Sequence, residues 1–356
     1  MRHAPTSRPL ARATAALSGA LAGALATALV AAPARADAVA DFYKGKEIKF
    51  IIGQPVGGGY DTYARFFARH LGHFLPGSPS VIVQNMPGAA GVVMTNSLVG
   101  QQPRDGSVLG AAAGSISTAA LFGASGARYD ARELGWVGSL NSEVGLVVSY
   151  KTAPVKTLAD MYTTEFITGG SGATDGNVIF PRTMNQVLGM KFKVIPGYSG
   201  TTNVSLAMER GEIHGTGSWH YSSIMASKPQ WLTDGSINVL VQLALERHPK
   251  VPNVPTVIEL AKTDEQRAIL ELVFAQQDMG RPVFTPPGLP PERLAALRAA
   301  FDAFVKDPKV NAEADQMKIE LNNPMRGVDI EKLIARLHAM PKETILKAAD
   351  AIKAGT

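Results

Sequence analysis

Short apolar runs, each ending in small residues and followed by apolar positions at helical spacing, recur along this chain. Ile48-Lys49-Phe50-Ile51-Ile52 is apolar and β-branched, which predicts a buried strand. Pro55 and Gly57-Gly58-Gly59 end regular pairing, and Tyr63, Phe67, Leu71 and Phe74 then mark one face of a helix. The order strand, bare loop, helix start gathers unpaired N–H groups and the positive end of a helix dipole at one place. That suits an anion, although a tight turn binding nothing has the same pattern.

The unit repeats. Ser80 to Gln84 predicts a strand, Asn85 to Gly91 a small-residue loop and Val92 to Val99 a helix, with a further strand at Ser107 to Ala113 ending on Gly114-Ser115. Trp136 to Leu140 and Gly145 to Tyr150 are strands, the second leading into another domain. There Phe166 to Thr168 and Lys193 to Pro196 are strands followed by the loops 169–177 and 197–202. Helices are expected at 178–188, with Pro181 in its first turn, and at 203–210, closed by Gly211. Ile213 to Trp219 and Asn238 to Leu245 are strands, the latter turning back toward the first domain. Helices at 265–277 and from Pro290 onward complete the chain, with Pro282 to Pro286 extended between them. Strands alternating with helices imply two α/β lobes, each a mostly parallel sheet flanked by helices, with loops gathered at the strands' carboxyl ends.

The first 36 residues change the charge picture. Arg2, Arg8 and Arg12 precede an alanine- and leucine-rich run, and Ala34-Arg35-Ala36 fits a small-x-small cleavage site, so 1–36 is expected to be an export signal. Arg2, Arg8, Arg12 and Arg35 go with it, leaving 31 of the 35 basic residues against all 30 acidic ones, a net charge of +1. No basic run remains to track a phosphate backbone, which argues against nucleic acid. There are no cysteines, so disulfides, thiolate chemistry and a lipidated N-terminal cysteine are excluded. The expected division is lobe 1 over 37–145, lobe 2 over 146–244, and a return to lobe 1 with C-terminal helices over 245–356.

The search for a reaction centre returns little. There is no G-x-x-x-x-G-K-[ST], and Gly57-Gly58-Gly59 is not G-x-G-x-x-G. Gly169-Gly170-Ser171-Gly172 and Gly197-Tyr198-Ser199-Gly200 lack the last glycine of a nucleophile elbow. His70 and His73 read as a solvated helix face rather than a metal pair, and no cofactor is called for. His214, Trp219, His220 and Tyr221 read either as a structural cluster or as a cleft wall. Asp61 is expected to fix its loop, since a carboxylate facing an anionic ligand would repel it. Asp175, if it points into the cleft, favours a cationic group on the ligand. A hydrolase using Ser115, Ser171 or His220 is the enzymatic alternative.

Three segments carry a resemblance. Pro55 to Asp61 with Ala64-Arg65-Phe66-Phe67-Ala68 is one residue longer than a strict P-G-G-G-x-D followed by A-R-x-x-A. Val83 to Gly91 fits V-x-N-x-P-G-A-x-G, and Val254 to Glu259 with Pro286 to Leu294 fits V-P-T-x-x-E and P-x-G-x-P-x-x-x-L. Together they resemble the Bug family, periplasmic solute receptors of tripartite tricarboxylate transporters, over essentially the whole chain after residue 36. The resemblance implies a two-lobed periplasmic-binding-protein-like fold (type II, Venus flytrap) that closes on a small carboxylate without catalysis. The partners it implies are membrane permease subunits, or a sensor kinase if the output is signalling, with the receptor a monomer. By position, the binders are Val56, Gly57, Gly58, Gly59, Tyr60, Gly88, Ala89, Ala90, Gly91 and Ser115 in lobe 1. Lobe 2 contributes Ser171, Gly172, Ala173, Thr174, Tyr198, Ser199, Gly200 and Thr201. Residues 173–177 and 218–221 depart from the family pattern, which bears on the identity of the solute. Micromolar capture needs about −8 kcal/mol. Four to six charge-assisted hydrogen bonds of roughly 1.5–3 kcal/mol each reach that range without a buried arginine.

Overall fold

The computed structural model describes residue 1 and residues 38–124, 126–172 and 175–353. The expected export signal, apart from its first residue, lies outside the described residues, as do Ala173 and Thr174. Among the described residues no helix is long and apolar enough to cross a membrane.

The chain opens with β1 (Glu47–Ile52), α1 (Gly59–Phe74), β2 (Ser80–Asn85), α2 (Val92–Gln101), β3 (Val108–Ala111) and β4 (Gly135–Ser139). It then crosses to β5 (Gly145–Tyr150), β6 (Phe166–Gly169), α3 (Gly176–Leu188), β7 (Phe192–Ile195), α4 (Thr201–Glu209), β8 (Gly215–His220), α5 (Tyr221–Ser227) and β9 (Ile237–Leu243). The last third holds α6 (Asp264–Phe274), β10 (Pro282–Thr285), α7 (Pro291–Lys306), α8 (Pro308–Gln316), β11 (Met325–Arg326), α9 (Gly327–His338) and α10 (Lys342–Lys353).

Two sheets result, ordered β11-β4-β10-β3-β1-β2 and β7-β6-β8-β5-β9. Following the pairings, β2, β1, β3 and β4 run one way in the first sheet, and β7, β6, β8 and β9 run one way in the second. The strands set against their neighbours are β10 and the short edge strand β11 in the first and β5 in the second, so neighbouring pairs are more mixed than a mostly parallel reading suggests. The cause is connectivity. Both β10 and β5 have just arrived from the other sheet, enter at the carboxyl ends of their neighbours, and therefore run back along them.

Burial explains which helices stay. In the first lobe, Phe50 of β1, Phe66 and Phe67 of α1 and Phe301 and Phe304 of α7 are fully buried and stack edge to face, with the Phe67 and Phe304 rings 5.0 Å apart. Gly138 makes room for Phe301, because a Cβ there would lie 2.4 Å from its ring. In the second lobe Pro181 sits in the second turn of α3 rather than the first. It is tolerated because its ring packs on bare Gly217 of β8, where a Cβ would come within 2.0 Å. The C-terminal α10 packs on α3 and α6, so residues 245–353 serve both sheets.

Phe304 closes the α1–α7 contact, so Phe304→Ala is expected to cost about 3–5 kcal/mol of stability. Denaturant midpoints of the two proteins measure it.

Candidate functional site

The loop after β1 is built by a carboxylate turned backwards. Asp61, 3% exposed, accepts from Gly57 N at 2.9 Å, Arg65 Nε at 2.9 Å and Asn85 Nδ2 at 2.8 Å, and Asn85 also donates to Gln54 O. Burial opposes the Asp61 charge, but these hydrogen bonds outweigh it and hold its carboxyl below the usual range. Asp61 thus fixes the loop while facing away from the N-terminus of α1, which no side chain caps. The first N–H groups of the helix, at Gly59 and Tyr60, are left for something else.

Opposite, α4 begins at Gly200, again with no side-chain cap. Asp175 precedes α3 but does not cap it. Its Oδ2 instead accepts from Ser171 Oγ at 2.6 Å and Gly172 N at 2.8 Å. Between these helix starts lies a cavity of about 280 Å³, close to the small end of the roughly 300–1,000 Å³ usual for ligand sites. The first lobe lines it with residues 54–60 and 113–115. The second supplies Ser171, Asp175–Asn177, 199–203, Ser218, His220 and Ser223, and Gln276, Gln277, Met279, Gly280 and Arg281 form its back.

Of the residues singled out from sequence, the cavity brings together Val56, Gly57, Gly58, Gly59, Tyr60, Ser115, Ser171, Ser199, Gly200 and Thr201. Gly88, Ala89, Ala90 and Gly91 are not on its wall. Gly91 is pressed between β strands, a Cβ on it falling 2.5 Å from Ala112 Cβ, while a Cβ on Gly53 would reach Gly91 Cα at 2.8 Å. The small residues of that loop allow the backbones to approach. Gly172 is also off the wall, and Tyr198 turns inward over Gly169 onto the lobe-2 core. The expected cluster around β8 separates. His214 accepts from Ile167 N at the strand's far end, Trp219 packs on Trp231, Tyr221 stacks on His248, and only His220 reaches the cavity. His70 is half-buried against Phe66 and Phe304 with Nε2 3.0 Å from Glu313 Oε2, not on a solvated face, while His73 is exposed.

The sequence reading missed the back wall. The two crossings, 140–144 and 277–281, are zipped by Leu140 N to Arg281 O, Gly280 N to Asn141 O and Glu143 N to Gln277 O, at 2.9–3.1 Å. Across them Arg281 Nη2 lies 3.0 Å from Glu143 Oε2, with both side chains 2–3% exposed. Arg281 Nη1 meets Gly280 O at 2.9 Å and His220 Nδ1 at 3.3 Å, and Nη2 donates to Ser222 Oγ at 3.2 Å. Ser222 Oγ in turn donates to Glu143 Oε2 at 2.6 Å. The guanidinium carbon stands 4.4 Å from the Tyr60 ring centre and 4.8 Å from that of Tyr63. So the cavity does contain a buried arginine, contrary to expectation, but its charge is already matched by Glu143. Burial opposes the Glu143 charge, yet Arg281, His220 and Ser222 hold its carboxyl low. Burial pushes His220 down to about 4 and Tyr60 up to about 12, so both are neutral near pH 7. The available signal was one arginine between Gly280 and Pro282 and one glutamate between two apolar strands, each a lone charge in apolar surroundings.

Solved structures share this architecture. A TctC solute binding protein from Polaromonas, without ligand, is 23% identical with a TM-score of 0.61, covering 85% of this chain and 99% of its own. The periplasmic binding protein BugD is 18% identical with a TM-score of 0.63, covering 87% and 98%. MatC from Rhodopseudomonas palustris, with bound malate, is 19% identical with a TM-score of 0.64, covering 84% and 99%. At these identities the likeness shows the two-lobed fold. No curated protein matches the sequence. A family profile described as the tripartite tricarboxylate transporter family receptor matches residues 64–349.

Arg281→Met strands Glu143 in the interior and is expected to cost about 3–5 kcal/mol, part of it recovered on adding Glu143→Gln. Denaturant midpoints of the single and double variants test this. Because His220 resists protonation when folded, the unfolded chain takes up its proton first as the pH drops. Stability is therefore expected to fall between pH 6.5 and about 4. Asp278, pushed up to about 6 by burial, acts in the opposite sense. Thermal melts across this window are thus to be compared with His220→Gln, whose decline is expected to be shallower.

Proposed function

Since the chain belongs to the tripartite tricarboxylate transporter receptor family, we propose that it captures a small carboxylate between its lobes and delivers it to the permease of such a transporter. As a family member it is a solute receptor of the periplasmic type and not an enzyme. One observation carries the ligand reading: two uncapped helix N-termini, from opposite lobes, open onto one cavity. The aligned peptide dipoles and free N–H groups there favour negative charge without any side chain being spent on it. MatC, which shares the fold, is itself solved with a small carboxylate, malate, bound.

In this reading residues 1–36 direct export and are removed, leaving the receptor in the periplasm. Lobe 1 spans 37–145, lobe 2 spans 146–244, and 245–356 return to complete both. Val56 to Tyr60, Ser115, Ser171 and Ser199 to Thr201 contact the solute, Ala173 and Thr174 remain candidate binders, and Gly88 to Gly91, Gly172 and Tyr198 support the loops from behind. One chain builds the whole cavity, so the receptor works as a monomer.

A carboxylate solute at 100 times its dissociation constant is expected to stabilise the protein by about 2.7 kcal/mol. It should raise the melting temperature and shrink the radius of gyration in solution scattering as the lobes close. A broad panel of carboxylates that changes neither quantity removes the receptor reading. Crosslinking in intact cells to a permease subunit, rather than to a sensor kinase, tests the partner.

A further inference from the structure

The charge on the cavity wall bears on which carboxylates fit. Three ionisable groups other than tyrosine line it: Asp175, His220 and Arg281. Arg281 brings no net charge, because Glu143 stands 3.0 Å behind it. Its Nη1 donates to Gly280 O and meets His220 Nδ1, and its Nη2 donates to Ser222 Oγ and pairs with Glu143 Oε2, while its Nε has no hydrogen-bond partner among the described residues. His220 is neutral, held down to about 4 by burial. Asp61, on the first-lobe side, is balanced by Arg65 and turned away from the cavity.

Asp175 is left as the uncompensated charge. Its Oδ2 is held by Ser171 Oγ and Gly172 N, both neutral donors, and it forms no ion pair with a described residue. It stands across the cleft from Tyr60, close enough to oppose ionisation of that phenol. The wall is therefore polar in a graded way. Bare amides and the positive end of α1 lie at Gly58 to Tyr60, and the facing lobe carries a fixed carboxylate at Asp175 beside the bare start of α4 at Gly200. A dianion spanning that gap would set its second negative group against Asp175, whereas a zwitterion would match both ends.

Resting on the receptor reading above, we infer that the solute is a monocarboxylate carrying a protonated amine, its carboxylate at the α1 N-terminus and its ammonium at Asp175. Asp175 is then the specificity-determining residue, and simple dicarboxylates are the solutes the site rejects. An ammonium at Asp175 also receives oxygen acceptors from its neighbours, since Ser171 and Asn177 line the same corner.

The test is calorimetric titration of the purified chain at low salt with three matched series of two to six carbons: α- and ω-amino monocarboxylates, dicarboxylates and plain monocarboxylates. The best amino acid is expected to bind at least about tenfold tighter than the dicarboxylate of equal length. Asp175→Asn keeps an acceptor for Ser171 and Gly172, so the loop is retained. It is expected to erase that preference and strengthen dicarboxylate binding, while Asp175→Glu keeps the wild-type ranking. Dicarboxylates binding as tightly as amino acids to the wild type, or an Asp175→Asn ranking identical to it, overturns the inference and leaves the receptor reading standing. Absence of binding by every carboxylate in all three series overturns both. Melting temperatures of the variants without solute identify any that fails to fold, and a folded Asp175→Glu that loses the ranking also counts against the inference.

Discussion

The ion pair between Glu143 and Arg281 is the constraint on which the rest of the molecule turns. Each residue belongs to one of the two segments that pass between the sheets, and both are buried almost completely. Two opposite charges in such a place are tolerable only when their geometry is good and their remaining donors and acceptors are occupied. Here Ser222, Asn141 and the amide of Val144 complete the shell of the carboxylate, and among the described residues Arg281 Nε alone of the guanidinium nitrogens has no partner. On the other side, two tyrosines of α1 lie against the guanidinium. One cation therefore touches the first lobe through Tyr60 and Tyr63, the crossing through Glu143, and the second lobe through His220 and Ser222.

This arrangement has a chemical consequence for the cleft. With the strongest cation already matched, attraction for a solute falls to the backbone and to whatever charge is left over. The free amides at the start of α1 and α4 supply the first, and the turned-back Asp61 ensures that the nearest carboxylate does not cancel them. Hydrogen-bond donors fixed in this way cost no side-chain entropy when a ligand arrives. A small change in the side chains around such a cradle can alter selectivity without disturbing the grip, which fits a fold shared at sequence identities near 20%.

How far the chain could be read from its letters depended on how local the cause was. Strands and helices followed from period and punctuation, and so did the loops at Gly57 to Gly59 and Gly200, whose bareness is a property of a few adjacent residues. The loop at Gly88 to Gly91 has the same composition for another reason: Gly91 admits Ala112 and Gly53, a requirement set by neighbouring strands. Composition alone does not separate a glycine that exposes amides from one that lets backbones touch. Pro181 was misplaced within its helix because the gap that receives it is on Gly217, in a different strand. Arg281 was invisible as a site residue for the same reason. Its partner lies far away in sequence, and only the double crossing brings the two together.

The packing of α10 has a mechanical implication. After returning to the first sheet, the chain sends its last helix back against α3 and α6, on the flank of the second. Two covalent passages would act as a simple pivot, and this added strap ties the second lobe to the first once more. An excised piece limited to residues 146–244 would leave the outer face of α3 bare, so the second lobe depends on the chain's own end to cover it.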